Sequence, residues 1–143
     1  MTDDQNTTAQ PNVSASLARR LIEAGAARGA ELGKGFTIAV VDASGVLKAL
    51  ERMDGAALIS IQIAQDKAYT AVGFGIPSHA WHDFIKDDPP LAAGATAGID
   101  RLVVFGGGFP ITVDGAMVGG IGVSGGHYSE DADVAEAALR ILG

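Results

Sequence analysis

Apolar positions recur with two periods along this chain, and the switches between the periods lay out its elements. Residues 14–33, SASLARRLIEAGAARGAELG, carry Leu17, Leu21 and Ala24 at helical spacing, with the Arg and Glu residues mostly elsewhere. Ser14 or Ser16 suits the cap of that helix, and Gly33 or Gly35 its stop. FTIAVVD (36–42) is almost continuously apolar, as a strand covered on both faces would be. ASG (43–45) signals a turn and VLKALERM (46–53) a second strand, so the two read as a hairpin. Alternation sets Val46, Lys48, Leu50 and Arg52 opposite Leu47, Ala49, Glu51 and Met53, and neither face is cleanly apolar. Asp54-Gly55 ends the strand. Asp54 is placed to cap a helix over AALISIQIAQDKAYTAVGF, where Leu58, Ile61, Ala64 or Gln65, and Ala68 keep the helical spacing.

Gly75-Ile76-Pro77 breaks that helix, and Ser78 is the expected cap of a shorter one, SHAWHDFIK, which Asp87-Asp88-Pro89-Pro90 ends. The small, Gly/Ala-rich residues 91–99 read as a loop. RLVVFG (101–106), PITVDG (110–115) and AMVGGIGVSG (116–125) read as three strands, with Asp114-Gly115 fitting a tight hairpin turn. SEDADVAEAALRIL (129–142) closes the chain as a helix with Ser129 as cap and acidic residues in its first turn, as the helix dipole favours. Helix, two strands, two helices, three strands and a helix make an α+β layered domain, with one mainly antiparallel five-stranded sheet flanked by helices.

Composition narrows this picture. The 143 residues suit one domain, here 13–143, preceded by a polar and expectedly disordered tail over 1–12. A net charge of −7 argues against a nucleic-acid surface, which needs a basic stripe. No apolar run reaches the roughly 18 residues of a membrane helix, and the first residues lack the basic and apolar regions of a secretory signal, so a cytoplasmic protein without a membrane partner is expected. Cysteine is absent, which removes disulfides, thiolate metal sites and thiol nucleophiles together. Twenty glycines are about double the usual ~7% share, and they cluster in GFGIP, FGGGFP and VGGIGVSGG.

VVDASGVLKALERMDGA, DKAYTA, GGGFPI and VGGIGVSGG, in this order, resemble the GlcG/HbpS-like family of heme-binding and heme-degrading proteins, and the same unit is similar to the C-terminal domain of PduO-type proteins. The resemblance covers about residues 13–143. It implies a profilin-like sandwich with a five-stranded antiparallel sheet, a homo-oligomer built from dimers up to an octamer, and a heme ligand. Extracellular heme sensors of the family carry a Glu-x-x-Glu iron site on a helix. The counterpart here is Gln62-Ile-Ala-Gln65, whose amides are poorer ligands for a hard cation, and no metal site is expected.

Candidate chemistry concentrates in four places. Arg52-Met53-Asp54-Gly55 offers Arg52 and Asp54, as strand end and helix cap or as a pocket mouth where Arg52 pairs an anion. Lys67, on a largely apolar helix, either reaches water or turns into a pocket, where desolvation would lower its pKa and make it a base. His79 and His82 share a helix face and are candidates for proton transfer, with Lys67 as third catalytic candidate. Gly106, Gly107, Gly108 and Pro110, with Gly125, Gly126 and His127 before the last helix, offer bare backbone to a ligand. Two functions follow. In one, heme propionates meet Arg52 or Lys67, the macrocycle lies near Phe74, Trp81 and Phe105, and a histidine reaches the iron. In the other, a cofactor-independent lyase or isomerase acts on a small carbonyl or carboxylate compound, with His79 or His82 as base and the amides of Gly106–Gly108 holding an enolate-like oxygen.

Overall fold

The structure, a computed structural model, describes residues 6–143; the first five residues of the expected tail lie outside the described residues. Its elements are α1 (Ala15–Glu31), β1 (Thr37–Asp42), β2 (Leu47–Arg52), α2 (Ser60–Phe74), α3 (Ala80–Ile85), α4 (Pro89–Gly98), β3 (Gly108–Val113), β4 (Ala116–Ser124) and α5 (Tyr128–Leu139), followed by a short 3-10 turn over Arg140–Leu142. The sheet runs β2-β1-β4-β3 and every neighbouring pair is antiparallel. Residues 6–12 are exposed and carry no regular element, but two side chains tie them down. Gln10 donates to the Met117 carbonyl at 3.2 Å, and Asn12 accepts from the Ala43 N–H at 2.9 Å.

Strand alternation sorts the sheet into two faces. Ile38 and Val40 of β1 pair with Val123 and Ile121 of β4, and these four point to the layer of α1 and α5, where Leu21, Ile22, Val134 and Ala138 complete the main core. The intervening residues, Ala39 and Val41, pair with Gly122 and Gly120, and this face carries α2. A side chain at Gly122 would strike the Ala64 carbonyl oxygen, and its Cβ would come within 2.6 Å of the Ala68 nitrogen. Glycine in β4 therefore answers to the close approach of helix backbone. The other hairpin turns at Asp114 (φ 51°) and Gly115 (φ 81°), the left-handed pair that the tight turn requires.

Three sequence expectations are corrected. Among the described residues the sheet has four strands, not five, because residues 101–106 do not join it: Arg101 sits in a left-handed turn (φ 63°) and 105–106 bend away. Their backbone is satisfied by side chains instead: Thr70 Oγ1 donates to the Arg101 carbonyl and accepts from the Val103 N–H, both at 3.0 Å, and Ser78 Oγ donates to the Phe105 carbonyl at 2.7 Å. The 91–99 loop belongs instead to helix α4, which Asp88 caps through the Leu91 N–H at 3.1 Å with proline opening the first turn. The caps also move. Asp54 lies exposed in the turn after β2 while α2 starts at Ser60, Ser78 is buried under the glycine loop, and His127 rather than Ser129 caps α5.

Candidate functional site

The close seating of α2 on the glycines of β4 sets the course of one charged side chain. Lys67 lies on the same helix stripe as Ala64, Ala68 and Ala71, facing the sheet. Its side chain leaves past Gly107 and Gly108, and its Nζ donates to the Val123 carbonyl at 2.9 Å and to Asp131 Oδ2 at 2.8 Å. The Lys67 and Asp131 side chains are 1% and 3% exposed. Asp131 stands in the first turn of α5, and its second oxygen accepts from the Gly126 N–H at 3.0 Å. Burial pushes the Lys67 ammonium below its ordinary pKa and the Asp131 carboxyl above its own, while the partner's charge opposes each shift.

The glycine loop is shaped around this pair. Val123 N–H donates to the Gly107 carbonyl at 2.9 Å, and in a regular ladder Gly107 would return a bond to the Val123 carbonyl. The lysine ammonium takes that place. Gly107 is left-handed (φ 125°), and a Cβ there would lie 2.7 Å from Lys67 Nζ, so this position requires glycine on both counts. Ser78 Oγ accepts from the Gly108 N–H at 2.9 Å and holds the far side of the loop. The N–H groups of Gly106 and Gly107 have no hydrogen-bond partner among the described residues. The Phe105 ring stands over the ammonium, its centroid 5.1 Å from Nζ.

Two clefts flank a ridge made by Phe105 and Tyr128. One, of about 390 Å³, is bordered by Lys67, Asp131, Gly125 and Gly126 with Ile59 and Ile63. The other, of about 380 Å³, is bordered by His79, His82, Asp83, Val104 and Gly106. His79 and His82 are exposed and make no side-chain hydrogen bond among the described residues, and the His79 ring meets Phe109 edge-on at 5.8 Å. The His127 ring is engaged as a cap, with Nδ1 2.8 Å from Ser129 Oγ and the ring 4.2 Å from that of Tyr128.

The structure thus gathers Lys67, Gly106, Gly107, Gly108, Gly125, Gly126 and His127 around one ridge, with His79 and His82 behind it. Arg52 is placed otherwise: its Nε and Nη2 donate to the Ala56 carbonyl at 3.1 and 2.9 Å, bracing the turn before the cleft residue Ala57. Asp54 is exposed beside it, and Pro110 sits within β3 opposite Gly120. The residue that sequence reading missed is Asp131. It read as one more acidic group in a helix first turn, although a buried lysine demands a counter-charge. Gln62 and Gln65 bond within their own helix, to Asp66 Oδ1 and the Ile61 carbonyl. Among the described residues no group of three or more His, Asp or Glu is disposed to hold a metal ion. No helix among them is long and apolar enough to cross a membrane.

A family model described as "Haem degrading protein HbpS-like" matches residues 13–140. This chain belongs to the HbpS-like family. Among its relatives is the corrinoid adenosyltransferase PduO of Citrobacter freundii, 32% identical over 137 residues; these are 94% of this chain and 41% of PduO, so the chain spans less than half of that protein. Another is protein GlcG of Escherichia coli, 35% identical over 114 residues, 78% of this chain and 81% of GlcG. In three dimensions the fold is similar to the PduOC:heme complex, with TM-score 0.83, 30% identity, and coverage of 92% of this chain and 96% of that one. It is also similar to HbpS, with TM-score 0.87, 28% identity, and coverage of 100% and 99%.

Proposed function

We propose that this chain binds heme at the Phe105–Tyr128 ridge. The observation that carries the reading is the heme complex of PduOC, a family member 30% identical to this chain over nearly its full length. The chain's own residues fit the group. Phe105, Tyr128 and Val104 offer an apolar wall to a macrocycle, and His79 and His82 bring imidazoles with uncommitted nitrogens to the same cleft. When bound, heme would supply its iron to one imidazole ligand, and His79 and His82 are the two we assign to that role. Among the described residues Lys67 is the one Lys or Arg bordering the two clefts, and its ammonium is committed to Asp131 and Val123, so the propionates are assigned to solvent at the cleft mouth rather than to Lys67. The homo-oligomer that the family resemblance implies is part of this proposal, and exposed Leu58, Ile59, Phe74 and Phe84 supply apolar surface for it.

Titration with hemin tests the reading. The expected result is a saturable shift of the Soret band that is lost or altered when His79 and His82 are both changed to alanine. Absence of any Soret shift would overturn heme binding. A shift that survives replacement of His79, His82 and His127 together would overturn ligation by histidine.

A further inference from the structure

We propose that Lys67 is a carbonyl-reactive amine, gated by Phe105, that takes small aldehydes or ketones as imines. The inference goes beyond heme binding and does not rest on it. Its starting point is a set of groups that the fold alone does not use. Lys67 Nζ has three protons and two acceptors, Val123 O and Asp131 Oδ2. Immediately beside it, Gly107 is buried, and its N–H has no hydrogen-bond partner among the described residues. Buried donors are nearly always satisfied, and leaving one bare costs on the order of 1–3 kcal/mol. An oxygen arriving next to Nζ would relieve that cost. Amine, carboxylate and a bare amide together are what a carbonyl group needs: a nucleophile, a proton carrier and a donor for the developing oxyanion.

Access runs through Phe105. Its ring covers Nζ on one side and is 47% exposed, so solvent lies on the other. The residue borders both clefts and is followed by three glycines. Rotation of such a half-exposed ring is fast on the timescale of chemistry. Turning it away opens the amine to the cleft of about 390 Å³, room for a compound of a few heavy atoms.

The chemistry balances without an added reagent. The ammonium passes one proton to Asp131, leaving a neutral amine beside a carboxylic acid, and the burial of both groups favours this uncharged pair. The nitrogen lone pair forms the C–N bond as the carbonyl π bond opens. The oxygen takes the Asp131 proton, and Asp131 takes one from the attacking nitrogen, giving the carbinolamine. Asp131 then protonates the hydroxyl, the C–O bond breaks, and water leaves. The products are a protonated imine on Lys67, an Asp131 carboxylate and one water. Nothing is oxidised or reduced.

Reductive trapping tests it on the full chain. The protein is exposed briefly at pH 7 to acetaldehyde with cyanoborohydride, and alkylation is mapped by peptide mass at Lys34, Lys48, Lys67 and Lys86. The other three are exposed and serve as controls. Lys67 is expected to be alkylated first, because burial lowers its pKa and leaves more of it as free amine at pH 7. Phe105→Ala should raise the Lys67 rate further and leave the others unchanged. Alkylation of the three exposed lysines with Lys67 untouched, in both the native chain and Phe105→Ala, would overturn the proposal and leave the pair a structural ion pair. Hemin titration of the same samples reads the heme site separately, so failure of one does not imply failure of the other.

Discussion

Replacing Lys67 by methionine removes one charge from the most buried ion pair in the described residues. The new side chain is of similar length and apolar, so packing against Gly107 and Gly108 is largely kept. Asp131 then stays 3% exposed with a single hydrogen bond from Gly126. Breaking a buried pair by deleting one partner costs about 3–5 kcal/mol. Unfolding entropy of about 2.1 cal/mol/K per residue converts this to a fall in Tm of roughly 10–17 °C for a domain of this length. The second arm separates charge from shape. Asp131→Asn in the Lys67→Met background removes the stranded charge while keeping an acceptor for the Gly126 N–H, and should recover much of the loss. The pH profile gives a third reading. Unpaired Asp131 has its folded pKa raised above its unfolded value, so the folded state binds the extra proton. The deficit of Lys67→Met is therefore smallest at pH near 4 and grows as pH rises through the folded pKa. Thermal melts of the three proteins from pH 4 to 8 decide the matter. A double variant no more stable than Lys67→Met, with a deficit independent of pH, would refute the electrostatic account.

The glycines make opposite predictions at two positions. Gly122→Ala drives a Cβ against the Ala64 carbonyl and the Ala68 nitrogen of α2, neither of which is a flexible side-chain end, and should cost about 1–3 kcal/mol by urea denaturation. Gly94→Ala, in the interior of α4 with nothing within 4 Å of the new Cβ, should instead stabilise by up to about 1 kcal/mol; a loss there would count against α4 as a helix. Acid should destabilise the fold through its surface pairs. Hydrogen bonds from Arg28 hold Asp133, and those from Lys34 hold Glu130, below their ordinary values of 3.8 and 4.5. The unfolded chain thus binds the protons first, and the stability these pairs add above pH 5 is lost as pH falls through the lowered pKa values. Arg28→Gln should flatten that slope in melts at low salt; an unchanged slope would remove Asp133 from the account.

What the sequence made legible follows from where each signal resides. Helical spacing through Leu17, Leu21 and Ala24, the apolar run of β1 and the Asp114-Gly115 turn are local, and all three appear in the fold. Residues 101–106 mislead because an apolar segment looks the same in sequence whether its backbone bonds to a strand or to side chains. Here the partners are Thr70 and Ser78, some 30 residues earlier, and local pattern says nothing of them. Asp88-Pro89 was read as a helix stop although it is equally a cap followed by proline in the first turn, and the Ala-rich run after it has strong helix propensity. In the site, Lys67 and the glycine loop were visible as candidates. Asp131 was not, because its importance lies in a contact across 64 residues.

The glycines that lead into β3 and those within β4 also explain why chemistry gathers at one end of this sheet. In β4, glycine lets α2 descend until helix and strand backbones touch, and that descent buries Lys67 along with Ala64 and Ala68. A lysine so placed can neither reach water nor stay unpaired at tolerable cost. The fold answers with Asp131 from the other layer, entering past the sheet edge at the start of α5. For the two side chains to meet, the strand between them has to yield, and it does so at Gly107, where the lysine takes the place of a ladder bond. That substitution is what leaves the Gly107 amide bare and turns Phe105 out onto the ridge. The open end of the sheet, the aromatic ridge and the unpartnered donors therefore share one cause. Changing Gly120 or Gly122 should disturb the site through the height of α2, without any contact to a ligand.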